Sequence, residues 1–394
     1  MDSRNEARAG LLVLALAAFT AVTTEMLPVG LLPQISAAFA HSESTTGLLI
    51  SLYAVMVMLL AVPMTLATRR VPGRRLLLIA MASYTLSNLI CALAPSFELF
   101  AAARVLGGVT HAVFFSVCIG YASRLVPVER AGRALALVSA GPSAAFILGS
   151  PLATALGEAA GWRAAFVVLV VLGLVTFALL ATVLPSAQAP PAARAAAVKG
   201  QRRDAVTVIA ANALTYLGQF TVYTYVTVIL LRAGASESAV APLLFLFGVF
   251  GIIGLWRAAP FLDAEPRRAA IVILSVVVAG VLAIGVSLPS LVPVVLAGIV
   301  WLAAFGPVAS LMQSATIRAD AISPELSGAW INATSNFGIA GGALLGGIVL
   351  DALDVRALAW VGAAPIVLAL ALFVLSHDRA GARQRLLRRP GVSF

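Results

Sequence analysis

The chain has 394 residues, 61% of them hydrophobic and only 11% charged, with a mean hydropathy of +1.03. Soluble domains carry roughly 25% charged residues, so the composition excludes a soluble fold and specifies an integral membrane protein. The net charge of +10 raises the question of a nucleic-acid partner, but the distribution of that charge along the chain argues for membrane topology instead.

Taken in order, apolar runs between charged or Pro/Gly breaks predict twelve spans. In the first half they are 11–38, 46–68, 74–94, 98–123, 131–157 and 162–184; in the second, 205–231, 238–260, 268–288, 290–317, 326–350 and 356–376. Each is near the roughly 20 residues that cross a bilayer as a helix. The stretch 185–204, rich in Ala and Pro, has too little apolar pattern to span and reads as a flexible cytoplasmic linker. The expected organisation is a six-helix bundle over 1–184, the linker, and a second bundle over 205–394 ending in a basic cytoplasmic tail. Ala38-Phe39-Ala40 resembles a signal-cleavage site. The run before it is longer than a secretory core and contains an acid, so no cleavage is expected.

With both termini inside, every Lys and Arg falls in a cytoplasmic segment except Arg104, Arg163, Arg232 and Arg356. That is the positive-inside rule for an even number of spans. It makes the protein a multi-pass resident of the cytoplasmic membrane, and no nucleic-acid partner is needed to explain the charge.

Span 1 carries Glu25 near its middle, followed by Pro28 and Pro33. A mid-membrane carboxylate is expensive and faces a protein interior or a water-filled cavity. Each proline removes a backbone donor and bends the helix. The span therefore reads as a moving part rather than an anchor. Span 4 carries the other two ionisable groups well inside spans, Arg104 and His111, spaced i, i+7 and so on one face with Gly108, Phe115 and Cys118. Glu25 and His111 fall at similar depth and could share or exchange a proton. The alternative is a static hydrogen bond tying span 1 to span 4. For Arg104, nearer the outer surface, the alternative is a snorkelling helix-end arginine.

The halves repeat. Leu66-Ala67-Thr68-Arg69-Arg70-Val71-Pro72-Gly73-Arg74-Arg75 leads from span 2 into span 3, and Ala259-Pro260-Phe261-Leu262-Asp263-Ala264-Glu265-Pro266-Arg267-Arg268 from span 8 into span 9. Span 5 has Gly141, Ala145, Gly149, Ala153 and Gly157 on one face; span 11 has Thr334, Gly338, Gly342 and Gly346 on the same period. Such stripes let helix backbones approach closely. Gly141 and Gly149, with Pro142 and Pro151 beside them, are expected to let span 5 slide at the interface between halves. Gly173 on span 6 is expected to face lipid. Paired six-span halves are a common transporter design, with the substrate between them near the midplane.

The second half has no mid-span charge. Span 7 presents Asn212, Tyr216, Gln219 and Tyr223 on one face, span 11 has Asn332 and Asn336, and span 10 has Trp301, Phe305 and Met312. Together with Thr24, Tyr53 and Phe115 these are the substrate-binding candidates, suited to an uncharged, amphipathic or polyol-like molecule. The alternative for any one of them is interhelical polar glue. The two cysteines and three histidines lack metal-ligand spacing, and no Walker A pattern is present. No metal or cofactor is expected. The energy source must be an ion or solute gradient, and Glu25 makes protons the first choice.

These stretches together resemble the major facilitator superfamily, in its twelve-span efflux branch of sugar exporters and drug:proton antiporters. Thr23-Thr24-Glu25-Met26-Leu27-Pro28-Val29-Gly30-Leu31-Leu32 is similar to the first-span signature of the sugar-efflux group. Arg104 to Ser116, RVLGGVTHAVFFS, resembles its fourth span. Gly141-Pro142, Gly149-Ser150-Pro151 and Gly161-Trp162-Arg163 resemble the fifth-span efflux motif and its exit, and Asn336 to Leu344 the eleventh-span pattern. One departure is Arg70, which stands where the family's loop between spans 2 and 3 has an acid; the second copy keeps Asp263. The resemblance implies an all-α fold of two pseudo-symmetric six-helix bundles, a monomer, and proton-coupled efflux of a small sugar-like or drug-like solute by alternating access. Glu25 would carry the proton and His111 would modulate it. The alternatives are a nucleoside, nucleobase or phenicol exporter and, from another class, a membrane receptor or lipid-modifying enzyme.

Overall fold

The computed structural model describes residues 3–126, 131–184, 202–319 and 324–387. The chain is all-helical there. The first half runs α1 (Ser3–Phe39), α2 (Glu43–Ala67), α3 (Gly73–Leu93), α4 (Phe97–Arg124), α5 (Ala131–Ala144), α6 (Ser150–Ala160) and α7 (Trp162–Val183). The second half runs α8 (Arg202–Tyr223), α9 (Val226–Arg232), α10 (Glu237–Ala264), α11 (Pro266–Ser287), α12 (Leu291–Phe305), α13 (Val308–Arg318), α14 (Pro324–Ala352) and α15 (Ala357–Leu387). Most of the predicted linker, including all of 185–201, lies outside the described residues.

Among the described residues eleven helices are long and apolar enough to cross a membrane. The twelfth expected span is present but interrupted. Between α5 and α6, Ala145–Gly149 forms a π-helical turn. Pro142 and Pro151 flank it and each leaves a carbonyl four residues back without its helical donor, a common cause of such breaks. Spans 7 and 10 are also broken, at Thr224–Tyr225 between α8 and α9 and at Gly306–Pro307 between α12 and α13.

Side-chain caps start two helices: Ser42 Oγ accepts from Thr45 N at 3.1 Å, and Ser96 Oγ from Leu99 N at 3.3 Å, replacing donors a helix start leaves free. Gly161 takes φ +84°, a backbone that side chains rarely adopt, and turns the chain from α6 into α7. There Trp162 packs on Phe100 with centroids 5.6 Å apart, and Arg163 donates to Ala94 O at 2.8 Å.

The two halves repeat contact for contact. Span 1 packs on span 5 as span 7 packs on span 11; span 3 packs on span 6 as span 9 packs on span 12. Arg74 donates to Ala181 O on α7, and Arg267 donates to Val374 O on α15. Across the halves, α2 lies on α14 and α6 on α10, which is one contact seen twice if spans 2 and 8, and 5 and 11, exchange. The side chain of Asp263 is outside the described side chains; that of Arg70 is exposed.

The small-residue stripes act within each half. A Cβ on Gly141 would strike Ala15 O, one on Gly149 would lie 2.6 Å from Thr23 Oγ1, and one on Gly157 would strike Leu31, all on α1. Gly338, Gly342 and Gly346 meet α8 in the same way, at Tyr216, Leu217 and Thr221. The expectation that Gly141 and Gly149 serve the interface between halves is thus corrected: what they meet is span 1 of their own half, because close backbone packing needs the stripe there. Gly173, expected to face lipid, is buried against Thr85 of α3.

Candidate functional site

Pro28 has no N–H, so the Thr24 carbonyl loses its helical partner. Arg104 supplies the replacement from α4, donating Nη1 to Thr24 O at 2.6 Å and Nη2 to Glu25 O at 2.8 Å. The side chain is 1% exposed, and its guanidinium lies 4.4 Å from the centroid of the Tyr53 ring. It is therefore no snorkelling residue. Its planar fork matches two successive carbonyls, a geometry lysine cannot supply. Asn88 on α3 adds a third tie, donating to Thr24 Oγ1 at 3.0 Å.

The bend so held presents Glu25, 6% exposed, to His111, 3% exposed. Their closest atoms, Oε2 and Nε2, are 3.8 Å apart. The other ring nitrogen, Nδ1, is 2.8 Å from Tyr53 Oη. When Tyr53 donates that bond, the proton of a neutral imidazole sits on Nε2, facing the carboxyl. Phe115 stacks on the imidazole at 4.7 Å and 27°, and Tyr84 meets its edge at 6.4 Å. Glu25, His111 and Tyr53 thus form one buried line from span 1 through span 4 to span 2. Gly108 makes room for it: a Cβ there would collide with Tyr53 O. Sequence reading paired Glu25 with His111. It placed Tyr53 among substrate contacts, whereas the fully buried ring bonds the histidine, and it missed Tyr84 and Asn88, for which one-sequence patterns give no signal.

In the second half, Asn212 donates to Ile331 O, Thr334 Oγ1 and Ser335 Oγ on α14 at 3.0–3.1 Å. Gln219 Oε1 accepts from Trp301 Nε1 at 2.7 Å, tying span 7 to span 10. Asn336 bonds within its own helix, to Asn332 O at 3.0 Å. The partly exposed members are Tyr216, Phe305 and Asn332; the rings of Tyr216 and Phe305 are 5.5 Å apart. Tyr223 lies edge-on to Trp301 at 6.2 Å. A crevice of about 430 Å³ between α10, α11 and α12 is lined by none of these residues. Among the described residues no group of His, Cys, Asp or Glu could hold a metal ion.

The Major Facilitator Superfamily profile matches residues 14–328. A "Probable sugar efflux transporter" of Mannheimia succiniciproducens is 29% identical over 92% of this chain and 92% of its own length. A "Chloramphenicol efflux pump" of Mycobacterium tuberculosis is 35% identical over 86% of this chain and 85% of its own. Among solved structures, a bacterial homologue of the human lysosomal transporter Spinster, inward-facing and unoccupied, superposes with a TM-score of 0.69 at 14% identity, over 94% of this chain and 96% of that one. With its twelve spans, repeated halves and matched profile, this chain is a multi-pass membrane transporter of the Major Facilitator Superfamily.

Proposed function

We propose that the protein is a proton-coupled antiporter that exports a small organic solute across the cytoplasmic membrane by alternating access. The carrying observation is the Glu25–His111–Tyr53 line beside a proline bend, buried between helices that must move against the second half. Rocking open to one side brings water to Glu25 and lets its carboxyl exchange a proton with that side alone. His111, with Nδ1 bonded to Tyr53, holds its Nε2 toward the carboxyl and modulates that exchange. The efflux direction and the solute class, sugar-like or drug-like, are supported by the names of the relatives. The partly exposed rings of Phe115, Tyr216 and Phe305 favour an amphipathic solute. The basic loops support an orientation with the end bearing both chain termini in the cytoplasm and the opposite end outside.

The test is Glu25→Gln in proteoliposomes with an imposed pH gradient. The amide keeps shape and hydrogen bonding but cannot titrate. Uphill efflux should be lost, while substrate binding persists and exchange at equal concentrations continues. Uphill transport at the unmodified rate would remove Glu25 from the role and leave His111 as the next candidate.

A further inference from the structure

Span 1 has a second proline. Pro33 deprives the Val29 carbonyl of its helical donor, as Pro28 does for Thr24, but the replacement comes from elsewhere. Thr227 on α9, in the other half, donates Oγ1 to Val29 O at 3.1 Å. Val29 is fully buried and Thr227 is 3% exposed. Among the described residues, Ser51 Oγ also bonds across the halves, to Ala340 O at 2.8 Å, as does Ser44 Oγ to the Asp351 carboxylate, both towards the outer end.

These three bonds are not equivalent. Ala340 lies inside α14, where the Leu344 N–H remains its helical donor, and Asp351 is exposed and open to water. The Val29 carbonyl, buried and proline-freed, has Thr227 as its side-chain donor only while the halves touch. A cleft of about 180 Å³ lined by Gly30, Pro33, Thr227 and Glu237 lies against this contact and spans both halves. Separation there would widen it and admit water to the carbonyl.

We infer that Thr227 and the Pro33-freed carbonyl of Val29 form the latch that sets the balance between closed and open states of the outer end. In the closed state Thr227 satisfies the carbonyl; in the open state water does. A closed state lacking the hydroxyl holds an unsatisfied buried acceptor, whereas the open state loses little. The inference rests on alternating access but on neither the substrate nor the proton carrier.

The experiment uses Ile50→Cys, a position 1% exposed in the cluster joining the halves, in full-length protein with Cys91 and Cys118 replaced by alanine. Right-side-out vesicles are treated with a membrane-impermeant maleimide, without substrate or pH gradient. Thr227→Val should raise the labelling rate at least about five-fold, equivalent to about 1 kcal/mol. Thr227→Ser, which keeps the donor, should label at the parent rate. Pro33→Ala returns an N–H to Val29 O, so adding Thr227→Val to it should change labelling less than two-fold by the same arithmetic. Equal labelling of Thr227→Val and parent overturns the latch, as does an equal increase with Thr227→Ser or an undiminished increase in Pro33→Ala. No labelling in any variant overturns both the latch and alternating access, whereas the Glu25→Gln result leaves the latch untouched.

Discussion

At the residue scale, Arg104 shows how one proline organises several side chains. Its two bonds to Thr24 O and Glu25 O fix the bend that aims Glu25 at His111, so its work is done on the backbone. Arg104→Leu would leave the Thr24 carbonyl buried without a donor, which costs about 1–3 kcal/mol. Thermal unfolding in detergent should show a loss of that order, with Arg104→Lys intermediate because one ammonium cannot reproduce the fork. Unchanged stability in Arg104→Leu would mean that the guanidinium does not hold the bend. Glu25, Arg104 and His111 were legible in the sequence because an ionisable group inside an apolar run stands out. Beyond the Glu25–His111 pair, their partners were not. The Tyr53–His111 bond, the Asn88–Thr24 bond and Thr227 all depend on which helices become neighbours, and tyrosine, asparagine or threonine in a membrane span is unremarkable until that is known.

At the element scale, the stripes were legible as a period of four, yet the period does not say which helix they meet. Span 5 turns its glycines to span 1, and the matching stripe on span 11 turns to span 7. The two positions on span 5 should differ in tolerance. A Cβ at Gly141 meets backbone, Ala15 O, whereas at Gly149 it meets the Thr23 side chain at 2.6 Å, which can shift more easily. Gly141→Ala should therefore impair transport more than Gly149→Ala, and Gly149→Leu should arrest transport in inserted protein. Ala178→Leu, at an exposed position of α7, is the lipid-facing control, and Gly173→Leu should behave like an interface variant because Thr85 fills its space. Equal losses in Gly149→Leu and Ala178→Leu would reduce the stripe to generic overpacking. The π-helical turn escaped the sequence reading for a related reason: prolines announce a break, but not whether the helix bends, ends or takes an extra residue into its turn.

At the scale of the whole molecule, three hydrogen bonds between described residues of the two halves lie towards one end. Ser44 with Asp351, Ser51 with Ala340, and Thr227 with Val29 lie from the midplane towards the end opposite the termini. Gly47 is packed under Tyr225 there, and Gly347 against Ser44. If transport requires the halves to part at this end, a covalent bridge across it must stop the cycle. A Cβ at Gly347 would lie 3.2 Å from Ser44 Cβ, slightly inside the roughly 3.5–4.5 Å spanned by disulfides, and 2.8 Å from Tyr225 Oη, so a bridge needs a small adjustment of the pair and a shift of the tyrosine hydroxyl. Ser44→Cys with Gly347→Cys, in the background lacking Cys91 and Cys118, should cross-link under mild oxidation, lose transport, and regain it on reduction. Each single variant should transport under both conditions, separating the bridge from the substitutions. Full transport by verifiably cross-linked protein would show that this end stays shut throughout the cycle, and alternating access by separation of the two halves would then have to be abandoned for this chain.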